Sequence, residues 1–130
     1  MEIEALKVPF NGTSIFVDKI EWNRESDTRI TVVLESTSER AEVTFNSDFG
    51  MRVLDELDIA NFWSSSNTSI LRESWLFKVK SGGWFDFESS RNDFYSRNQE
   101  ETLEYIITSH QDCVSIICLE EPIVTVINSI

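Results

Sequence analysis

Basic residues are scarce in this chain of 130 residues: Lys and Arg total 11 against 23 Asp and Glu, a formal net charge of −12. Such a surface repels phosphate backbones and anionic lipid, which sets aside nucleic acid and membrane as expected partners and favours a basic protein instead. Glycine and proline are rare too, with four and two residues. No Gly-rich phosphate loop is present, since "SGGW" (Ser81–Trp84) follows a strand-like run and is not expected to open a helix. One histidine and two cysteines fall short of the usual zinc sets. Cys113 and Cys118 lie in one strand-like run, roughly 16 Å apart at about 3.3 Å per residue and beyond the disulfide reach of about 7 Å, which predicts two reduced, buried thiols. No apolar run approaches the ~20 residues that span a bilayer, and "MEIEALKVPF" lacks the basic and apolar regions of a secretory signal, so a cytoplasmic chain is expected. The glycosylation-like triplets at Asn11 and Asn67 are then chance matches.

What is present is alternation. In "TRITVVLE", Ile30, Val32 and Leu34 oppose Arg29, Thr31, Val33 and Glu35; in "RAEVTF", Ala41, Val43 and Phe45 oppose Glu42 and Thr44. A four-residue loop Ser36–Glu39 would set Leu34 against Ala41, Val32 against Val43 and Ile30 against Phe45, like against like. The run "IFVDKIEW" places Phe16, Ile20 and Trp22 on one face, and "NRESD" supplies the turn after it. These runs predict a three-stranded antiparallel meander over 15–45, with "EIEALKV" as a possible edge strand.

Farther on, "WLFKVKSGGWFDFE" reads as a hairpin closed by Ser81-Gly82-Gly83, its last position left-handed. That register points Trp75, Phe77, Phe85 and Phe87 to the core and leaves Trp84 outside with Lys78, Lys80, Asp86 and Glu88. In the last third, a turn at 110–113 sets Ile107 against Ile116 and Tyr105 against Cys118. Both faces of this hairpin are apolar, which predicts strands covered on both sides. Beyond Pro122, "IVTVI" forms the final strand. "DELDIANFWSS" is the best helix candidate, with Asp55 as N-cap and Glu56 and Asp58 in its first turn. The expected architecture is one α+β domain over 1–130, mainly antiparallel β-sheet with about eight short strands in meander and hairpins, and one or two short helices packed on one face.

Catalytic and metal chemistry find little footing. "HQDC" brings His110, Asp112 and Cys113 together in sequence, but a nucleophile–base pair needs both groups aimed at one point, and alternation in a tight turn aims them apart. "DELD" lacks the glycine and spacing of a calcium loop, and helix capping accounts for it. No catalytic residue, cofactor or metal is therefore expected. What remains is surface: Trp84 as an aromatic anchor with Asp86 and Glu88 beside it, and Asp55, Glu56, Asp58, Glu120 and Glu121 as further acidic contacts.

The two hairpins "WLFKVKSGGWFDFESSR" and "LEYIITSHQDCVSIICLEEPIV", with the chain between about Asp55 and Ile127, resemble those of small acidic bacterial immunity-type proteins encoded beside secreted or contact-delivered toxins. The resemblance implies a cytoplasmic, non-enzymatic protein that binds and blocks a cognate toxin domain. Many such domains act on nucleic acids and are basic, so an acidic inhibitor gains steered association. Two other readings are open. One is a ligand-binding barrel or enzyme with a cavity lined by Trp75, Phe77, Phe85, Phe87 and Tyr105. The other is an adaptor that pairs through an edge strand, with "IVTVI" as the exposed edge.

Overall fold

The computed structural model describes residues 1–23, 25–55, 68–94 and 101–127. Within them the chain forms β1 (Glu2–Ala5), β2 (Ile15–Trp22), β3 (Asp27–Leu34), β4 (Glu39–Asn46), β5 (Asp48–Asp55), α1 (Thr68–Leu71), β6 (Leu76–Ser81), α2 (Trp84–Ser89), β7 (Leu103–Ile107), β8 (Asp112–Cys118) and β9 (Ile123–Ile127). All pairings are antiparallel, in a four-stranded sheet of order β2-β3-β4-β9 and a five-stranded sheet of order β1-β6-β7-β8-β5. The architecture is therefore α+β and dominated by antiparallel sheet, as the alternation predicts.

The inner faces of the two sheets share one core. Ile30, Val32 and Leu34 of β3 and Ala41, Val43 and Phe45 of β4 pack with Leu76, Tyr105, Ile107, Val114 and Ile116 of the other sheet. Each such aliphatic side chain removed from water contributes about 1.5–3 kcal/mol, so period-two alternation is enforced on every strand that meets this interface. The five-stranded sheet is apolar on its second face as well, where Phe77, Val79, Ile106 and Cys113 cluster with Ile3, Ala5, Leu54 and Leu71. The two-faced hairpin read from the sequence thus corresponds to β7 and β8, the interior of the larger sheet.

Both predicted hairpin registers shift by two residues. Val32 faces Ala41 and Ile30 faces Val43, because the chain turns over Glu35–Ser38 with Ser38 in the left-handed region at φ 61°. Ile107 faces Val114 and Tyr105 faces Ile116, in a turn held by Ser109, whose hydroxyl donates to the Asp112 carbonyl and accepts from the Asp112 amide. A shift of two preserves every face, which is why the core residues were right although their partners were not. In β2 the face itself changes. A bulge between Val17 and Lys19 turns Ile15 and Val17 inward and Phe16 outward, against the His110 ring at 5.4 Å.

The largest correction concerns "WFDFE". Residues 84–89 form a helix, not the second arm of a hairpin, because β6 already pairs with β1 on one side and β7 on the other and leaves no free edge. Gly82 takes the left-handed conformation, at φ 73°, and Gly83 is extended. The helix start is tied down twice: the Asp86 carboxylate accepts the Gly82 amide at 2.6 Å, and Glu104 of β7 accepts the amides of Trp84 and Phe85 at 3.0 and 2.7 Å. "SGGW" therefore does open a helix, of six residues. Phe87, expected in the core, is 71% exposed.

One strand, β5, was not anticipated. Its signal was Phe49, Met51 and Val53 at alternate positions, obscured by Gly50 between them. Gly50 is required there: an added Cβ would lie 2.6 Å from Ile117 and 3.4 Å from the Trp84 ring. Asp55 ends this strand, opposite Asp112. The rest of the predicted helix, with Glu56 and Asp58, lies outside the described residues.

Candidate functional site

One end of the sandwich gathers exposed aromatic and acidic side chains from three connections. β2 ends on Trp22, opposite the buried Thr28. Its ring belongs to the inward-facing set of β2 but stands at the end of the strand, and it is 65% exposed. Next to it the chain crosses between sheets through Ser47, left-handed at φ 57°, into Asp48. Thr28 donates its hydroxyl to Asp48 at 2.9 Å, and Leu119 donates its amide to the Ser47 carbonyl at 3.3 Å, which brings the β8–β9 connection with Glu120 and Glu121 against the same corner. Trp22, Asp48, Phe49, Gly50 and Met51 line a shallow depression of about 280 Å³.

The carboxylates there act on their neighbours. Burial pushes the Cys118 thiol up to about 12, with Asp48 and Glu120 adding to the rise against a hydrogen bond to the Glu120 carbonyl. Burial likewise pushes the Tyr105 hydroxyl up to about 12, with Glu121 and Glu4 contributing. The corner thus combines an exposed indole with the carboxylates of Asp48, Glu120 and Glu121 at a small depression.

The residues predicted from sequence do not form one patch. Glu120 and Glu121 lie at this end and are exposed. Asp55 lies at the opposite end of β5 from Asp48, on the order of 23 Å away at about 3.3 Å per residue. Trp84, Asp86 and Glu88 ride on α2. Trp84 is half-buried there against the Arg52 guanidinium, 5.1 Å from the ring centroid, a cation–π contact. Its indole donates to Glu88 at 3.3 Å, and Glu88 also meets Arg91 at 3.1 Å. Beneath the helix, Arg52 keeps a buried Nε that has no hydrogen-bond partner among the described residues, and burial lowers its pKa against the pull of Glu104 and Glu88. Trp84 thus serves first to dock α2. Sequence reasoning missed Trp22, Asp48 and Phe49; the available signal was an aromatic closing a strand directly before a polar turn.

The rings proposed as a cavity lining are separated. Trp75 and Tyr105 belong to the core between the sheets, Phe77 to the opposite face of the larger sheet, and Phe85 packs edge-on against Phe94 at 5.9 Å. A groove of about 730 Å³ does occur at the far end of the sandwich, lined by Asn11, Thr13, Ser74, Trp75, Ser109 and His110 among others. The "HQDC" residues diverge as expected, with His110 against Phe16 and Cys113 buried on the outer face of the larger sheet. Among the described residues no three His, Cys, Asp or Glu side chains are grouped to hold a metal ion, and no helix is long and apolar enough to cross a membrane.

Fold and site together define a two-sheet antiparallel sandwich with a short helix on one outer face and an acidic, aromatic end. Neither a family model, nor a curated protein, nor a solved structure matches the chain.

Proposed function

We propose that this chain is an immunity-type inhibitor that works in the cytoplasm by occlusion rather than catalysis, binding a basic cognate toxin domain through its acidic end. Trp22 is the aromatic anchor, and Asp48, Glu120 and Glu121 form the charged rim. The observation that carries the reading is the 65% exposure of Trp22 beside these carboxylates, in a chain of net charge −12. An exposed indole at the mouth of a depression supplies affinity on burial, and the surrounding charge accelerates encounter with a basic surface. The same charge opposes direct binding to nucleic acid.

The test begins with the reading frame adjacent to this one in its source genome, expressed in a test bacterium with and without this protein. Growth arrest relieved by this chain is the expected result; a harmless neighbour, or arrest left unrelieved, overturns the reading. With that partner in hand, Trp22→Ala is expected to weaken binding by about thirtyfold, equivalent to about 2 kcal/mol, with the thermal unfolding midpoint within about 2 °C of wild type. Affinity should also fall as salt rises, because rim charges are screened over about 10 Å at 0.1 M.

The groove lined by Trp75, Ser109 and His110 favours a second reading, a small-ligand site. Salt separates the two, since an apolar ligand held there would keep its affinity as ionic strength rises.

A further inference from the structure

The two sheets have four edges: β1 and β5 bound the larger, β2 and β9 the smaller. An unpaired edge is a template for another chain, and monomeric proteins blunt theirs with charge, proline or bulges. Three of the edges here are treated in that way. β1 carries Glu2 and Glu4 with a register break after Glu2. β2 carries Asp18, Lys19 and Glu21 with its bulge between Val17 and Lys19. β5 carries Asp48, Arg52 and Asp55 with a break between Asp48 and Gly50.

β9 has neither device. Its sequence "IVTVI" is uncharged, and its ladder to β4 runs without a break from Ile123 to Ile127. Ile123 is 56% exposed. Val126 lies opposite Ala41, on the face that looks toward the core, and is still 59% exposed, since no strand follows β9 among the described residues.

The strand's own sequence indicates the occupant. "IVTVI" reads identically in both directions, so a second copy laid antiparallel about a two-fold axis through Thr125 sets Ile123 against Ile127, Val124 against Val126 and Thr125 against itself. Like meets like at every position. In the same register Glu120 and Glu121 lie outside the five paired residues and do not face one another across the axis. A slip of two residues in one direction would instead set Glu121 against Ile127.

We propose that β9 is a homodimer interface in which two copies of this chain pair β9 to β9 about Thr125, joining their four-stranded sheets into one continuous eight-stranded sheet. Val126 of each copy is then covered by Val124 of the other, and both β9 edges disappear. The proposal stands apart from the toxin-binding reading, because it is tested on the purified chain alone.

Sedimentation of the full chain between about 1 µM and about 1 mM is expected to show a dimer of the 15.0 kDa chain. Thr125→Glu and Thr125→Lys each set identical charges against one another across the axis, and each variant is expected to be monomeric. Mixed in equal amounts they oppose a carboxylate to an ammonium and should recover a heterodimer, identified by native mass spectrometry. A second variant needs no loss of assembly: Thr125→Cys opposes two thiols at about 4.5–5.5 Å between Cα atoms, within disulfide range, and should cross-link under mild oxidation, while the native Cys113 and Cys118 are buried. A monomeric wild type, dimers in the singly charged variants, or a Thr125→Cys chain that does not cross-link would each overturn the pairing.

Discussion

Trp75→Ala is expected to remove about 3–5 kcal/mol of folding stability, the cost of deleting a large aromatic side chain from a packed interior. The ring is buried just before β6, in the core shared by both sheets, with the Phe10 ring 5.8 Å away. Its indole N–H donates to the Phe10 carbonyl at 2.9 Å, which fastens the long β1–β2 connection to the sandwich. Alanine leaves a void and strands that carbonyl, and a domain of ordinary stability, about 5–15 kcal/mol, is then close to unfolding at room temperature. Urea denaturation reads the loss as a lower midpoint with unchanged slope. Trp75→Phe keeps most of the volume but not the donor and should fall between the two. A loss below about 1 kcal/mol for the alanine variant would show that the ring is not part of the core.

The second large effect is expected at Glu104. This carboxylate is buried on the outer face of the larger sheet and accepts the amides of Trp84 and Phe85, the first two residues of α2. Glu104→Ala leaves both amides without their acceptor and should cost about 2–4 kcal/mol, undocking α2 before the sandwich itself unfolds. Hydrogen exchange should then show lost protection across residues 84–89 with β7 and β8 still protected. Equal loss of protection in β7 would mean that Glu104 supports the sheet rather than the helix.

Glu104 also predicts a dependence on pH. Burial pushes its carboxyl above the ordinary value of 4.5; the Phe85 and Trp84 amides and the Arg52 guanidinium pull it down without reversing the shift. The folded chain therefore holds this proton at pH values where the unfolded chain has released it. The associated stability is complete below about pH 4.5 and is lost as pH rises through the raised value. Glu104→Gln, which keeps one acceptor and cannot ionise, should remove this fall. Comparing denaturation midpoints of the two proteins across that window checks the sign, and parallel curves would rule it out.

How much of this was legible in advance varies by element. The faces of β3, β4, β7 and β8 were readable because a side chain's face depends only on odd or even position, and register errors of two leave it unchanged. Phe16 was misplaced because a single bulge in β2 inverts that parity, and nothing in "IFVDKIEW" marks where the extra residue sits. The proposed site was half visible: Glu120 and Glu121 were named in advance, but the exposed indole was expected at Trp84, and the structure half-buries Trp84 and leaves Trp22 exposed. Both tryptophans end or follow strand-like runs, and only the tertiary packing decides which ring is covered: the docking of α2 against Arg52 covers Trp84, while Trp22 stands exposed at the end of its strand.

The sequence by itself determined the charge, the antiparallel alternation, the two-faced character of β7 and β8, and the uncharged palindrome of β9. These are local properties of side-chain order and composition, so no partner is needed to specify them. Only the tertiary structure decided that Trp84–Ser89 is a helix, that β1 rather than "WFDFE" pairs with β6, and that Trp22, Asp48 and Glu120 share one corner. Each of those outcomes depends on competition for a sheet edge or on a crossing between sheets, through contacts far apart in the chain. No window of neighbouring residues contains that information.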